Sequence, residues 1–168
     1  MGLHTKHTSL NAPHASGFTL VEVLVALVVL SIGLLGMAKM VMVSSHSNDS
    51  AYLRSQATAL AYQAMDSMRA NLLAASESPG TYNTPLAPAG GGQPTCSAYC
   101  SNDQMALSDV YWWKVHLQSL PNGLGSITTS GSFPLTATVV VQWDDSAAQT
   151  LFGAPANNQS ITLQTVLQ

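Results

Sequence analysis

The chain has 168 residues, room for one domain plus an appendage, and its 46% hydrophobic and 8% charged content is lopsided for a soluble globular protein. Net charge is −3, and Lys6, Lys39, Arg54, Arg69 and Lys114 are too scattered to build a phosphate-binding stripe, so no nucleic-acid partner is expected. The two cysteines, Cys96 and Cys100, stand close together in a polar stretch, which suits one disulfide in an oxidising compartment.

From Met1 to Gly17 there is no acidic residue and one lysine, Lys6, beside His4, His7 and His14, so this weakly basic leader has nothing to bury. Phe18 to about Val43 is apolar on every side and free of proline, with Glu22 and Lys39 as its only charges. At about 1.5 Å per residue it spans the roughly 30 Å hydrocarbon core of a bilayer, and a membrane helix is expected. The helical pattern then continues in amphipathic form. Leu53, Ala57, Leu60, Ala64, Met68 and Leu72 recur at spacings of three and four, while Arg54, Gln56, Gln63, Asp66 and Arg69 fall mostly elsewhere. One rod from Phe18 to Ala75 is expected, stopped by Pro79-Gly80.

The segment "ESPGTYNTPLAPAGGGQPTC" reads as a long Pro/Gly-rich loop. A shorter helix is expected around "NDQMALSDVYWWKVHLQSL", closed by Pro121-Asn122-Gly123. The period then changes to two. Leu135, Ala137, Val139, Val141 and Trp143 alternate with Thr136, Thr138, Val140 and Gln142; Ile161, Leu163 and Thr165 stand opposite Thr162, Gln164 and Val166. These are two antiparallel strands, with "GSITTSG" as a third. So small a sheet needs cover on one face, and the amphipathic half of the long helix is the available lid. The expected fold is therefore α+β.

"GFTLVE" followed at once by an apolar helix resembles the type III signal of type IV prepilins and type II secretion pseudopilins. The resemblance implies cleavage by prepilin peptidase between Gly17 and Phe18, and N-methylation of Phe18. It implies three regions: a leader over 1–17, a transmembrane and assembly half-helix over 18–43, and a periplasmic pilin-like domain over 44–168. The competing reading is a signal anchor or secretory signal peptide with an accidental glutamate. A signal peptide, however, has a shorter apolar run followed by a small-residue cleavage site, and "MAKMVMVSS" is a poor one. Ala15-Ser16 departs from the Lys or Arg that many prepilins carry before the glycine.

Glu22 is the costly residue of the segment. Insertion scales put a charge at the bilayer centre at roughly 2.5 to 3.5 kcal/mol, so an intramembrane acid normally has a partner or a task. Cleavage creates a partner, because the new amino group of Phe18 is positive at neutral pH. In a staggered pack of helices, Glu22 of one subunit can meet the terminus of a neighbour and set axial register. The pair need not add net stability, since both ions lose water.

The body, with "CSNDQMALSDVYWWKVHLQSLPNGLGSI", "ATVVVQWDD" and "ITLQTVLQ", resembles the minor pilins called type IV pilus modification protein, the PilV type, and so does "GFTLVEVLVALVVLSIGLLGMAKM". Lys39 stands where many major pilins carry a helix proline, leaving Gly33 and Gly36 as the weak points of the helix. The resemblance implies a low-abundance subunit of a bacterial inner membrane that joins other minor pilins to prime assembly and enters the pilus. Its expected partners are those minor pilins, the major pilin, prepilin peptidase, the inner-membrane assembly platform and inner-membrane lipid.

Other chemistry finds little support. His46 and His116 have no ligand at metal spacing, and Asp144-Asp145 lacks the regular oxygen ligands of a calcium loop and reads as a solvated strand end. Of Trp112 and Trp113, one is expected in the core and the other at its edge. No catalytic constellation stands out, so no enzyme activity and no cofactor are expected. Two alternatives to the minor pilin are a minor pseudopilin of a type II secretion system and a signal-anchored periplasmic binding domain. Cys96 and Cys100, four apart, would place their α-carbons near 6 Å on a helical or turn segment, within disulfide range.

Overall fold

The structure is a computed structural model that describes residues 17–77, 80–96, 99–146 and 158–168. The leader expected over 1–17 lies outside these residues except for Gly17. The fold is α+β, a long N-terminal helix packed on a four-stranded antiparallel sheet. In chain order the elements are α1 (Leu20–Ala70), α2 (Leu72–Ser76), β1 (Thr84–Ala87), α3 (Asn102–Leu117), β2 (Leu124–Ser130), β3 (Leu135–Asp144) and β4 (Asn158–Leu167). The chain divides into two compact units, one up to Val41 and one from Met42 to Gln168.

In the first unit, every described residue from Gly17 to Val41 is exposed, although nearly all are apolar. This part of α1 is long and apolar enough to cross a membrane. Gly33 and Gly36 do not interrupt the helix.

The second unit holds the core. Ala57, Ala61, Ala64, Met65 and Met68 of α1 are buried at spacings of three and four, with Leu53, Leu60 and Leu72 packed at the margin. The sheet order is β1-β2-β3-β4, all antiparallel. On its covered face Leu135, Ala137, Val139, Val141 and Trp143 are all buried, as the alternation predicts. Register aligns Ile127, Val139 and Leu163 in one cross-strand row and Gly125, Val141 and Ile161 in the next. At Gly125 the missing side chain leaves the place that α3 fills. A Cβ there would lie 2.5 Å from both Trp113 Cη2 and Leu117 Cδ1.

Three sequence expectations need correction. The helix does not run unbroken to Ala75: Asn71 leaves the helical region (φ −130°, ψ 61°), and its buried side chain donates to the Asn102 carbonyl at 2.7 Å, tying the break to the start of α3. The Pro/Gly-rich segment contains a strand, β1, despite Pro85 and the following Pro88. Proline is tolerated there because β1 is an edge strand with β2 as its one neighbour. Asp145 is not a solvated strand end. It is 6% exposed and accepts a 2.6 Å hydrogen bond from the Ser50 hydroxyl, which joins α1 to the end of β3.

Candidate functional site

The candidate site is the start of α1. Thr19 caps the helix: its hydroxyl accepts from the Glu22 N–H at 3.3 Å, and its carbonyl accepts from the Val23 N–H at 3.3 Å. Glu22 therefore occupies the first turn, where the helix dipole favours a negative charge. The Thr-x-x-Glu spacing ahead of an apolar run is a helix-start signature, and it was the signal by which Thr19 could be found in the sequence. Phe18 is 84% exposed and lines, with Glu22, Val23, Ala26, Leu27 and Leu30, a shallow groove along one helix face. The Glu22 carboxylate has no hydrogen-bond or ion-pair partner among the described residues. Further along, Ser31 returns its hydroxyl to the Leu27 carbonyl at 2.7 Å, so this polar group is satisfied within the helix and does not oppose an apolar surrounding.

A second cluster surrounds α3. Cys96 and Cys100 are joined in a disulfide with α-carbons 5.6 Å apart. Directly after it, Ser101 and Gln104 form a reciprocal capping box: the Ser101 hydroxyl accepts from the Gln104 N–H at 3.2 Å, and the Gln104 side chain accepts from the Ser101 N–H at 3.0 Å. Trp113 is buried, with its indole N–H donating to the Leu60 carbonyl of α1 at 2.8 Å. Trp112 is 43% exposed and meets Tyr111 edge to face at 5.5 Å. The neighbouring tryptophans thus divide between core and surface.

Two polar features of this cluster were missed by sequence reasoning. Tyr82 is buried, and its hydroxyl donates to Asp109 at 2.7 Å with the Ser67 carbonyl 3.1 Å away. Burial, then the hydrogen bond and negative charge of Asp109, push the phenol well above its ordinary value. Lys114 is 5% exposed, and its ammonium donates to the carbonyls of Pro85 at 2.7 Å and Ala87 at 2.9 Å. Burial pushes its pKa down. No local pattern announces either residue, because Tyr82 and Lys114 are buried by elements distant in sequence. Among the described residues no three His, Cys, Asp or Glu side chains form a group able to hold a metal ion.

Comparison with known families places one motif on this geometry: the family described as Prokaryotic N-terminal methylation motif matches residues 13–38. No curated protein and no solved structure matches the chain. The matched segment contains Gly17, Phe18, Thr19 and Glu22 and the first turns of α1. It supports a type IV pilin-like protein, one processed for a type IV pilus or a pseudopilus and structural in character. The motif implies a prepilin peptidase as processing enzyme and other pilins as assembly partners. Together with the one long apolar helix, it is consistent with anchoring in the inner membrane.

Proposed function

We propose that this chain is a minor pilin of the PilV type that is cleaved after Gly17, methylated on Phe18 and drawn into a type IV pilus through α1. In this reading 1–17 is the leader, 18–43 the membrane and assembly segment, and 44–168 the periplasmic domain. Glu22 of the assembled subunit faces the amino terminus of a neighbour, and that pair sets axial register. The carrying observation is the matched methylation motif on a helix whose first 22 residues, Leu20–Val41, are exposed and almost wholly apolar. Lipid covers such a surface before assembly, and neighbouring helices cover it afterwards. The same segment serves a pseudopilin, so the test has two parts. Intact-mass analysis of protein from the native membrane is expected to give a chain beginning at Phe18 with one added methyl group. Gly17→Val is expected to leave the precursor uncut, since a branched side chain replaces the glycine next to the scissile bond. Recovery in sheared, purified pili supports the pilus assignment; recovery solely with a secretion apparatus overturns it. An intact leader on the membrane protein overturns processing altogether.

A further inference from the structure

Lys114 has a structural duty that leaves part of it unused. Its ammonium carries three N–H donors, of which two go to the carbonyls of Pro85 and Ala87 on the outer edge strand. The third has no acceptor among the described residues, and no carboxylate lies within ion-pair distance of it. A charge this deeply buried normally has a counter-ion. It also lines a cavity of about 550 Å³ between α3 and the segment running from β1 into the Pro/Gly-rich loop. The other walls are mostly apolar, Pro85, Pro88 and Pro94 on one side and Leu107, Val110 and Tyr111 on the other, with Thr84 and the glycines Gly90 and Gly92 completing the lining. Such a volume lies in the range of ligand sites, roughly 300 to 1,000 Å³.

The donor set selects the ligand. Phosphate-type anions are held by several convergent donors, from arginine forks or backbone N–H nests. Pro85, Pro88 and Pro94 supply no N–H, and besides the Thr84 and Tyr111 hydroxyls and the Gly90 and Gly92 backbone the lining offers a single cation, Lys114, in a mostly apolar setting open on one side. From this we infer that the cavity between α3 and β1 is a binding site for a carboxylate carried on an apolar body, with Lys114 as the anchoring cation. That chemistry belongs both to a peptide ending in an apolar residue with a free C-terminus and to a free apolar organic acid. The bound carboxylate accepts the third N–H of Lys114, while the apolar body displaces water from the proline and leucine walls.

The test uses the full mature chain in lipid nanodiscs, titrated calorimetrically with 4-phenylbutyrate and with the peptide N-acetyl-Leu-Leu-Phe bearing a free carboxylate. Each acid is compared with its amide, and empty nanodiscs give the background. At least one acid is expected to bind at least about tenfold more tightly than its amide, the difference a charge-assisted hydrogen bond makes. The preference is expected to vanish in Lys114→Met. Because that substitution also removes two hydrogen bonds from β1, Leu107→Trp provides a second variant that fills the cavity from the exposed side of α3 and leaves Lys114 in place. It is expected to abolish binding while keeping the wild-type melting profile. Binding of the peptide acid alone identifies a peptide terminus as the ligand, and binding of phenylbutyrate alone identifies a free acid. Equal binding of acid and amide, an acid preference that survives Lys114→Met, binding unaffected by Leu107→Trp, or no binding of either acid overturns the assignment.

Discussion

Glu22 has one role within the chain and, in the proposed function, a second between chains. Within the chain it is the third residue of α1, its N–H held by the Thr19 hydroxyl and its charge favoured by the helix N-terminus. Between chains, in the proposed function, its carboxylate meets the amino group released at Phe18 of a neighbour. These roles separate in a substitution. Glu22→Gln keeps the backbone cap, because Thr19 accepts from the main chain, and removes only the charge. Precursor cleavage is expected to continue at the wild-type rate while incorporation into pili falls severalfold, measured by immunoblot of sheared pili against cell-associated protein. Wild-type piliation in a strain relying on Glu22→Gln contradicts the charge pair.

Tyr82 is the residue whose ionisation bears most directly on stability. Its phenol is raised above its ordinary 10.0 by burial and by Asp109. With the folded value above the unfolded one, the native state holds the proton more tightly. The stabilisation is therefore fully present below pH 10 and is lost as pH rises from there through the folded value. Over that window the slope attributable to one proton is about 1.4 kcal/mol per pH unit at most. Urea denaturation between pH 9 and 11 is expected to show a steeper loss of stability for the wild type than for Tyr82→Phe, which lacks the titrating group. Parallel curves for the two proteins refute this account.

At the scale of elements, α3 depends on what is fastened at its two ends. The Cys96–Cys100 disulfide stands just before the Ser101 capping box, and Gly123, after the turn at the other end, is enclosed by the Leu117 and Leu120 contacts. Between them Trp113 and Leu117 enter the space above Gly125, and Trp113 donates to α1. Closing so short a disulfide loop is worth about 2 kcal/mol in the chain-entropy model. Cys96→Ser combined with Cys100→Ser is accordingly expected to lower unfolding free energy by about that amount, read from denaturant midpoints, without abolishing folding. Incorporation into pili is expected to suffer more than stability, the outcome that follows if the loop also holds the entry to α3 for a partner subunit. Two titratable thiols in freshly isolated, unreduced protein exclude this role.

For the whole molecule, apolar surface is divided between two destinations. The exposed apolar residues of the first unit have no core to enter, whereas the buried cluster lies wholly after Met42. The Ser50–Asp145 hydrogen bond and the stripe from Ala57 to Met68 also lie after that boundary. A chain beginning at Met42 is thus expected to remain folded and detergent-free, with a thermal midpoint within a few degrees of the full chain, by circular dichroism. It is also expected to lose membrane association entirely. Aggregation or loss of the cooperative transition contradicts the independence of the second unit.

Local order in the chain determined much of this: a continuous apolar run, a stripe at spacings of three and four, and strict alternation from Leu135 to Trp143 each carry their secondary structure in their period. The Gly-Phe-Thr-x-x-Glu junction is likewise legible locally, because the helix cap and the proposed processing both act on neighbouring residues. What the tertiary structure alone decided involves partners distant in the chain. β1 became a strand despite Pro85 because β2 offers it an edge and Lys114 takes its carbonyls. Asn71 interrupts α1 where its amide reaches Asn102, and Asp145 is buried where Ser50 meets it. Tyr82 and Lys114 acquire unusual surroundings only after α3 has docked. In each case the deciding free energy is that of satisfying a buried polar group, a quantity that exists only once the chain has brought its separate segments together.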